Sequence, residues 1–208
     1  MKLAVFDFDS TLMTGETLEF IAQEPSLQEQ IKVITNEAME GKLDFFESLT
    51  KRVALLKGTS YDKVLDICEN LPLNKGAYEA VNGLKKLGYK VVCFSGGFNI
   101  GTIPAKYKLG LDAEFSNILH HKDGKLTGLV GGEMMFSTSK GCMIQKLQEL
   151  LNVSVEDTIA VGDGANDLSM FKYAGTRIAF CAKPVVKEAA NIIIDGCDLF
   201  EILEYIIE

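Results

Sequence analysis

Apolar residues run without interruption from Leu3 through Ala4 and Val5 to Phe6, and the chain then turns to Asp7, Phe8, Asp9, Ser10 and Thr11. A short apolar run bounded by polar residues predicts a strand buried on both faces, as in a parallel sheet. Alternation along it points Asp7 and Asp9 to one side and Phe8 to the other. After Leu12 the period becomes helical. Leu27, Ile31, Ile34 and Ala38 recur at steps of four, three and four, which predicts a helix over 26–40 ended by Gly41. Asp44 caps a second helix bearing Phe45, Leu49, Val53 and Leu56, and Ser60 caps a third bearing Val64, Ile67 and Cys68. Consecutive helices with short links predict a small bundle inserted after the first strand.

From Gly76 onward strands and helices alternate, as crossover helices do in a parallel sheet. The pattern predicts a helix over 78–87, a strand over 90–94, and a helix that follows Ser95-Gly96-Gly97 and passes Pro104 to about residue 109. Asp123-Gly124 predicts a hairpin turn at the sheet edge. A helix over 140–151, strands over 158–161, 177–180 and 192–194, and helices over 168–173, from 184 and over 199–206 complete the chain. The expected fold is α/β, a Rossmann-like parallel sheet core with helices on both faces, an inserted helical-bundle cap and a small β-hairpin. Residues 1–14 and 72–208 form the expected core and 15–71 the expected cap.

Composition fits this outline: 208 residues, 47% hydrophobic, hold one filled core and a smaller module. A net charge of -8 argues against nucleic acid and anionic membranes as partners. No apolar run reaches the roughly 18 residues of a membrane span, and the N-terminus lacks the pattern of a signal peptide, so a cytoplasmic protein is expected. Its expected state is a monomer or weak homodimer. Five cysteines without a C-x-x-C pair are expected as reduced, mostly buried thiols. His120 and His121 read as surface residues.

Asp7 and Asp9 demand compensation, because two like charges about 4 Å apart repel by roughly 4 kcal/mol at an effective dielectric near 20. One holds a proton, or a metal binds between them. Taken alone, the pair also reads as a solvated acidic turn. A calcium loop is disfavoured by Thr11 and Leu12, which stand where that motif has Asp or Asn and then Gly. Two further strands end in polar loops, at Ser95-Gly96 and at Asp163 with Asn166 and Asp167. A parallel sheet brings such ends to one edge, where they can supply a nucleophile, phosphate donors and a Mg2+ site. Gly162-x-Gly164 is not a dinucleotide fingerprint, since Asp167 replaces the third glycine. Considered singly, Ser95-Gly96-Gly97 is a turn and Lys140 a solvated lysine.

Asp7-Phe8-Asp9-Ser10-Thr11, Ser95-Gly96-Gly97-Phe98, Lys140 and Gly162-Asp163-Gly164-Ala165-Asn166-Asp167 resemble, in order, the motifs of haloacid-dehalogenase-like phosphatases. With Glu16 and the segment from Ala38-Met39 through Phe45 to Arg52, they resemble the branch of that family acting on O-phosphoserine. The resemblance implies Asp7 as nucleophile, Asp9 as general acid and then base, and Mg2+ held by the Asp7 carboxylate, the Asp9 backbone carbonyl and Asp163. It implies phosphate contacts from Thr11, Ser95, Gly96, Lys140 and Asn166, and support of the metal shell by Asp167. It also implies a small-molecule substrate whose carboxylate meets Arg52 and whose ammonium meets Glu16, with Met39 and Phe45 closing the pocket. Without the resemblance, Arg52 reads as a solvated charge and Glu16 as a helix-start residue. A phosphotransferase and a non-enzymatic acidic domain are the competing classes.

Overall fold

The computed structural model describes residues 1–39 and 42–206, so the expected helix stop at Gly41 lies outside the described residues. The chain opens with β1 (Lys2–Asp7) and continues through α1 (Thr17–Ile21), α2 (Pro25–Met39), α3 (Phe45–Ala54) and α4 (Tyr61–Glu69). Then come α5 (Ala77–Lys86), β2 (Tyr89–Phe98), α6 (Asn99–Leu109), β3 (Ala113–Lys122), β4 (Lys125–Gly132) and α7 (Ser139–Leu151). The last third holds β5 (Thr158–Gly162), α8 (Leu168–Phe171), β6 (Thr176–Phe180), α9 (Pro184–Ala189), β7 (Ile192–Ile194) and α10 (Ile202–Ile206). No helix among the described residues is long and apolar enough to cross a membrane.

The first strand is central because its side chains serve two cores. Leu3 and Val5 pack with Met143 and Ile144 of α7, Met170 and Phe171 of α8 and Val186 of α9. Ala4 and Phe6, with Phe8 beyond the strand, pack on the other face with α5, α6 and Ile202 of α10. Full burial of each large apolar side chain contributes about 1.5–3 kcal/mol, so the buried stretch from Leu3 to Phe6 holds no polar side chain before Asp7.

Seven strands lie in the order β4-β3-β2-β1-β5-β6-β7, all pairs parallel except β3 with β4. Phe6 aligns with Cys93 on one side and Val161 on the other. The order reverses direction around β1, and the crevice beyond the carboxyl ends at such a reversal is where open α/β sheets bind ligands.

The helices α1 to α4 leave and rejoin the sheet beside the end of β1. There Met13 bridges Leu73, the Thr14 N–H donates to the Pro72 carbonyl at 2.9 Å, and Asn74 Nδ2 donates to the Thr11 carbonyl at 2.7 Å. Asp44 caps α3 as expected, accepting from the Glu47 N–H at 2.7 Å. Ser60 makes no capping bond through its side chain. Instead its segment pairs with the hairpin: the Gly58 N–H donates to Leu126, the Leu126 N–H to Thr59 and the Tyr61 N–H to Gly124. The hairpin, turning through the left-handed pair Asp123 and Gly124, thus ends the sheet and also props α3 and α4.

Three further features differ from expectation. β2 extends through Ser95-Gly96-Gly97 to Phe98 with a register shift against β3, so the polar loop is a bulged strand end. β3 begins well before the expected hairpin arm; its first half is half-buried and mixed in polarity, which hides a strand. Cys181 and Cys197 form a disulfide, and Cys142 is exposed, correcting the expectation of five reduced and mostly buried thiols. The end of β6 and the segment before α10 meet, a tertiary proximity that a sequence separation of 16 conceals.

Candidate active site

Three strand ends converge as the pattern of apolar runs predicts. Asp7 closes β1, Ser95 and Gly96 lie in the bulged end of β2, and Asp163 follows β5. A cavity of about 880 Å³ opens above them. Its floor and near wall include Asp7, Asp9, Gly96, Asp163 and Asn166, and its far wall includes Glu16, Phe45, Ser48 and Arg52 from the helical insertion.

Asp7 is 4% exposed, and both the Phe8 N–H (2.7 Å) and Lys140 Nζ (2.5 Å) donate to its Oδ1, which fixes the carboxylate. Burial first, and then the neighbouring Asp167, raise its pKa well above the ordinary carboxylate range, while Lys140 opposes them. Lys140 is buried and also reaches Asp167 Oδ1 at 2.6 Å. Burial disfavours its ammonium, but Asp167 and Asp7 outweigh that cost and raise its pKa. Asp167 in turn accepts the N–H groups of Asp163 (3.0 Å) and Gly164 (3.1 Å) through Oδ2. It is therefore the post that holds the third loop in place.

Asp9 is oriented by a residue that the sequence reading missed. Its Oδ1 accepts both the N–H and the hydroxyl of Thr17, each at 2.6 Å, and Ser95 Oγ donates to Oδ2 at 3.3 Å. Burial raises the Asp9 pKa, with the Thr17 bonds opposing. Ser95 also accepts the Gly97 N–H at 2.9 Å, and a Cβ on Gly97 would lie 2.6 Å from Asp9 Oδ2, so no larger residue fits there. A Cβ on Gly96 would lie 2.8 Å from the Phe45 ring, which is how the insertion seats on the core. Asn117, also missed, donates to the Gly96 carbonyl at 3.0 Å and holds the bulge from below. Neither residue carries a sequence signal: Thr17 and Asn117 lie within half-polar segments.

The structure brings most of the expected site residues to the cavity but sorts them by depth. Thr11, Ser95, Lys140 and Asp167 are buried beneath the floor, and Thr11 Oγ1 donates to Asp163 Oδ1 at 3.4 Å. Met39 ends α2, with its side chain outside the described set. Glu16 is exposed on the cavity wall and accepts from Ser10 Oγ at 3.1 Å. Desolvation first, then Asp9 and Asp163, push its carboxyl up to about 8, with Ser10 and Arg52 opposing. Arg52 folds back so that Nε donates to the Ser48 carbonyl at 3.3 Å, and burial lowers its pKa.

Ligand atoms of Asp7, Asp163 and Asp167 lie within 4.8 Å of one another. An oxygen-only donor set of this kind fits a hard divalent cation and not zinc. The Asp163 carboxyl is raised to about 7, by burial first and then by Asp167, the state of a carboxylate cluster that a cation would relieve.

A buried carboxylate, a buried lysine bonded to it and a cluster of carboxylates that could hold a cation thus meet at one sheet edge, and residues 1–175 match the model of the haloacid dehalogenase-like hydrolases. The chain belongs to that family. Within it, the chain is similar over its length to proteins named phosphoserine phosphatase. It is 61% identical over 206 residues to the one from Wolinella succinogenes, covering 99% of this chain and 100% of the relative. With the one from Methanocaldococcus jannaschii it shares 52% identity over 99% of this chain and 97% of the relative. Among solved structures it resembles a phospho-aspartyl intermediate analogue of phosphoserine phosphatase, with a TM-score of 0.93 and 52% identity over 98% of both chains. A substrate-bound phosphoserine phosphatase complex superposes at a TM-score of 0.92 and 51% identity, covering 98% of this chain and 97% of the other.

Proposed function

We propose that this protein is a phosphoserine phosphatase that hydrolyses O-phospho-L-serine to serine and phosphate, closing serine biosynthesis. The observation that carries the reading is the juxtaposition, across one cavity, of the Asp7 and Asp9 pair on the floor with Glu16 and Arg52 on the opposite wall. The floor suits a phosphoryl group, and the wall offers the Arg52 cation for a carboxylate and the Glu16 carboxyl, which an arriving ammonium would draw into its ionised form, for an amine.

In the proposed reaction the Asp7 carboxylate attacks phosphorus in line, the bond from phosphorus to the seryl oxygen breaks, and Asp9 gives its proton to that oxygen. The raised pKa of Asp9 suits it to carry this proton. Once serine leaves, Asp9 takes a proton from water, which attacks phosphorus, releases phosphate and regenerates the Asp7 carboxylate. Ser95, the Gly96 N–H, Lys140 and Asn166 bind the phosphoryl oxygens, while Thr11 and Asp167 steady Asp163. Residues 15–71 act as the cap, with Phe45 and Met39 excluding water. Asp7, Asp163 and the Asp9 backbone carbonyl would hold Mg2+. When bound, Mg2+ offsets the repulsion between the Asp7 carboxylate and the phosphoryl dianion.

Phosphate release measured across phosphoserine, phosphothreonine, phosphoethanolamine and an aryl phosphate, with and without Mg2+, tests the reading. Phosphoserine should be the best substrate, and activity should require the cation. Arg52→Ala should lower kcat/KM for phosphoserine about a hundredfold or more, as expected when a charged hydrogen-bonded pair loses one partner. The same change should lower aryl phosphate hydrolysis far less. Equal losses would remove Arg52 from substrate recognition.

The cation requirement has a pH signature. Asp163 and Glu16 have folded-state pKa values of about 7 and 8, above those of the unfolded chain. Carboxyls raised in this way favour the folded state at low pH, and that contribution is lost as pH rises through 7 to 8. The cation-free protein should therefore be less stable at pH 8 than at pH 6. Mg2+ binds deprotonated ligands, so its stabilisation grows with pH. At a hundredfold excess over Kd it is about 2.7 kcal/mol, or roughly 5–10 °C for a chain of this size. Thermal melts at the two pH values check this, and a larger Mg2+ shift at pH 6 would contradict the assignment.

A further inference from the structure

Among the described residues, two buried side-chain polar atoms have no hydrogen-bond partner, Ser48 Oγ and Arg177 Nε. Arg177 lies in β6 and does not line the cavity; Ser48, 2% exposed, lies on α3 and does. A serine inside a helix ordinarily returns its hydroxyl to the carbonyl one turn earlier. Two neighbours do so: Thr50 Oγ1 donates to the Phe46 carbonyl at 2.9 Å, and Thr35 Oγ1 to the Ile31 carbonyl at 2.9 Å. At Ser48 only the backbone follows the helix, its N–H donating to the Asp44 carbonyl at 2.9 Å. A buried hydroxyl left without a partner carries a free-energy cost that a protein retains where a ligand supplies the missing bond.

We infer that Ser48 is a specificity-determining residue, its hydroxyl donating to the α-carboxylate of the substrate beside Arg52. Arg52 follows Ser48 by four residues and so occupies the same face of α3, and its Nε to Ser48 carbonyl bond at 3.3 Å keeps the side chain over Ser48. A carboxylate meeting the guanidinium has lone pairs left for a second donor. The substrate ammonium is excluded from this spot by the Arg52 charge and belongs with Glu16 on the same wall. This inference deepens the phosphoserine reading and rests on it.

The test compares kcat/KM for phosphoserine with that for phosphoethanolamine, which keeps the ammonium and the leaving oxygen but lacks the carboxylate. Ser48→Ala should lower the phosphoserine value about tenfold, equivalent to about 1.4 kcal/mol, mainly through KM. The ratio of phosphoserine to phosphoethanolamine should fall by the same factor, and the Tm should stay at or above that of the unsubstituted protein, since no internal bond is removed. An unchanged ratio, or equal losses on both substrates together with a lowered Tm, would overturn the assignment. If the unsubstituted enzyme does not prefer phosphoserine over phosphoethanolamine, the amino-acid pocket itself fails, and Ser48 with it. A clear preference that survives Ser48→Ala defeats only the Ser48 role.

Discussion

Asp7→Asn should lower turnover by about ten-thousandfold or more while leaving the fold intact, the scale expected when a member of a covalent catalytic unit is lost. A carboxamide has nearly the volume of a carboxylate, so the slot below Phe8 remains filled, but it cannot attack phosphorus. The electrostatic consequences favour folding. Asp7 is raised in pKa by burial and by Asp167, and a neutral group there removes part of the repulsion in the cluster, while Lys140 keeps its bond to Asp167. Steady-state phosphate release gives the rate, and the melting temperature checks the fold. Mass spectrometry of acid-quenched turnover should place a phosphoryl group on the peptide bearing Asp7 in the unsubstituted enzyme and none in the variant. Turnover above roughly a hundredth of the unsubstituted value would exclude Asp7 as the nucleophile.

What the sequence displayed clearly was whatever is uniform in environment. β1 and β5 are buried on both faces, and their apolar runs marked both the strands and the carboxylates at their ends. The order of β1, β2 and β5 in the sheet then forces Asp7, Gly96 and Asp163 to one edge. Less visible were elements whose residues face two environments. β3 is half-buried at its start and reads as a loop, and the bulge in β2 depends on Asn117 of the next strand, 21 residues further along the chain. α6 passes through Pro104 without ending, because packing of Ala105 and Leu109 into the core outweighs the missing N–H.

Side-chain orientation was the other hidden quantity. Only the family resemblance marked Glu16 and Arg52; read singly they are ordinary helix-start and surface residues, and the fold sets both on the wall of the cavity that Asp9 lines. Thr17, adjacent to Glu16, supplies two bonds to Asp9, yet a threonine at a helix start has a commonplace local explanation. The contrast is physical: motifs that place charges at strand ends are encoded locally, whereas those that hold the charges in a particular protonation state come from elements distant in sequence. Lys140 shows this most sharply, since it lies 133 residues from Asp7 and touches it at 2.5 Å.

Lys140→Met should therefore damage stability and catalysis together, and Mg2+ should separate the two effects. Methionine preserves length and apolar bulk in a slot that leaves Lys140 only 3% exposed, so cavity formation is minimised. The charge is what disappears. Asp7 and Asp167, whose ligand atoms lie within 4.8 Å of each other, then face one another without the ammonium between them. Their mutual repulsion is roughly 3–4 kcal/mol at an effective dielectric near 20, and breaking a buried pair by removing one partner costs about 3–5 kcal/mol in measured cases. Urea unfolding without divalent cations should show a loss of that order, while added Mg2+ should restore much of it by neutralising the same carboxylates. Turnover should remain depressed by about a hundred- to a thousandfold even at saturating Mg2+, because the cation cannot donate the hydrogen bond that the proposed mechanism assigns to Lys140 at the phosphoryl oxygens. Lys140→Arg should not rescue it, since a planar guanidinium is too broad for the slot. A variant as stable as the unsubstituted protein without cation would show that Lys140 does not hold the two acids together, and full turnover would remove it from the phosphate site.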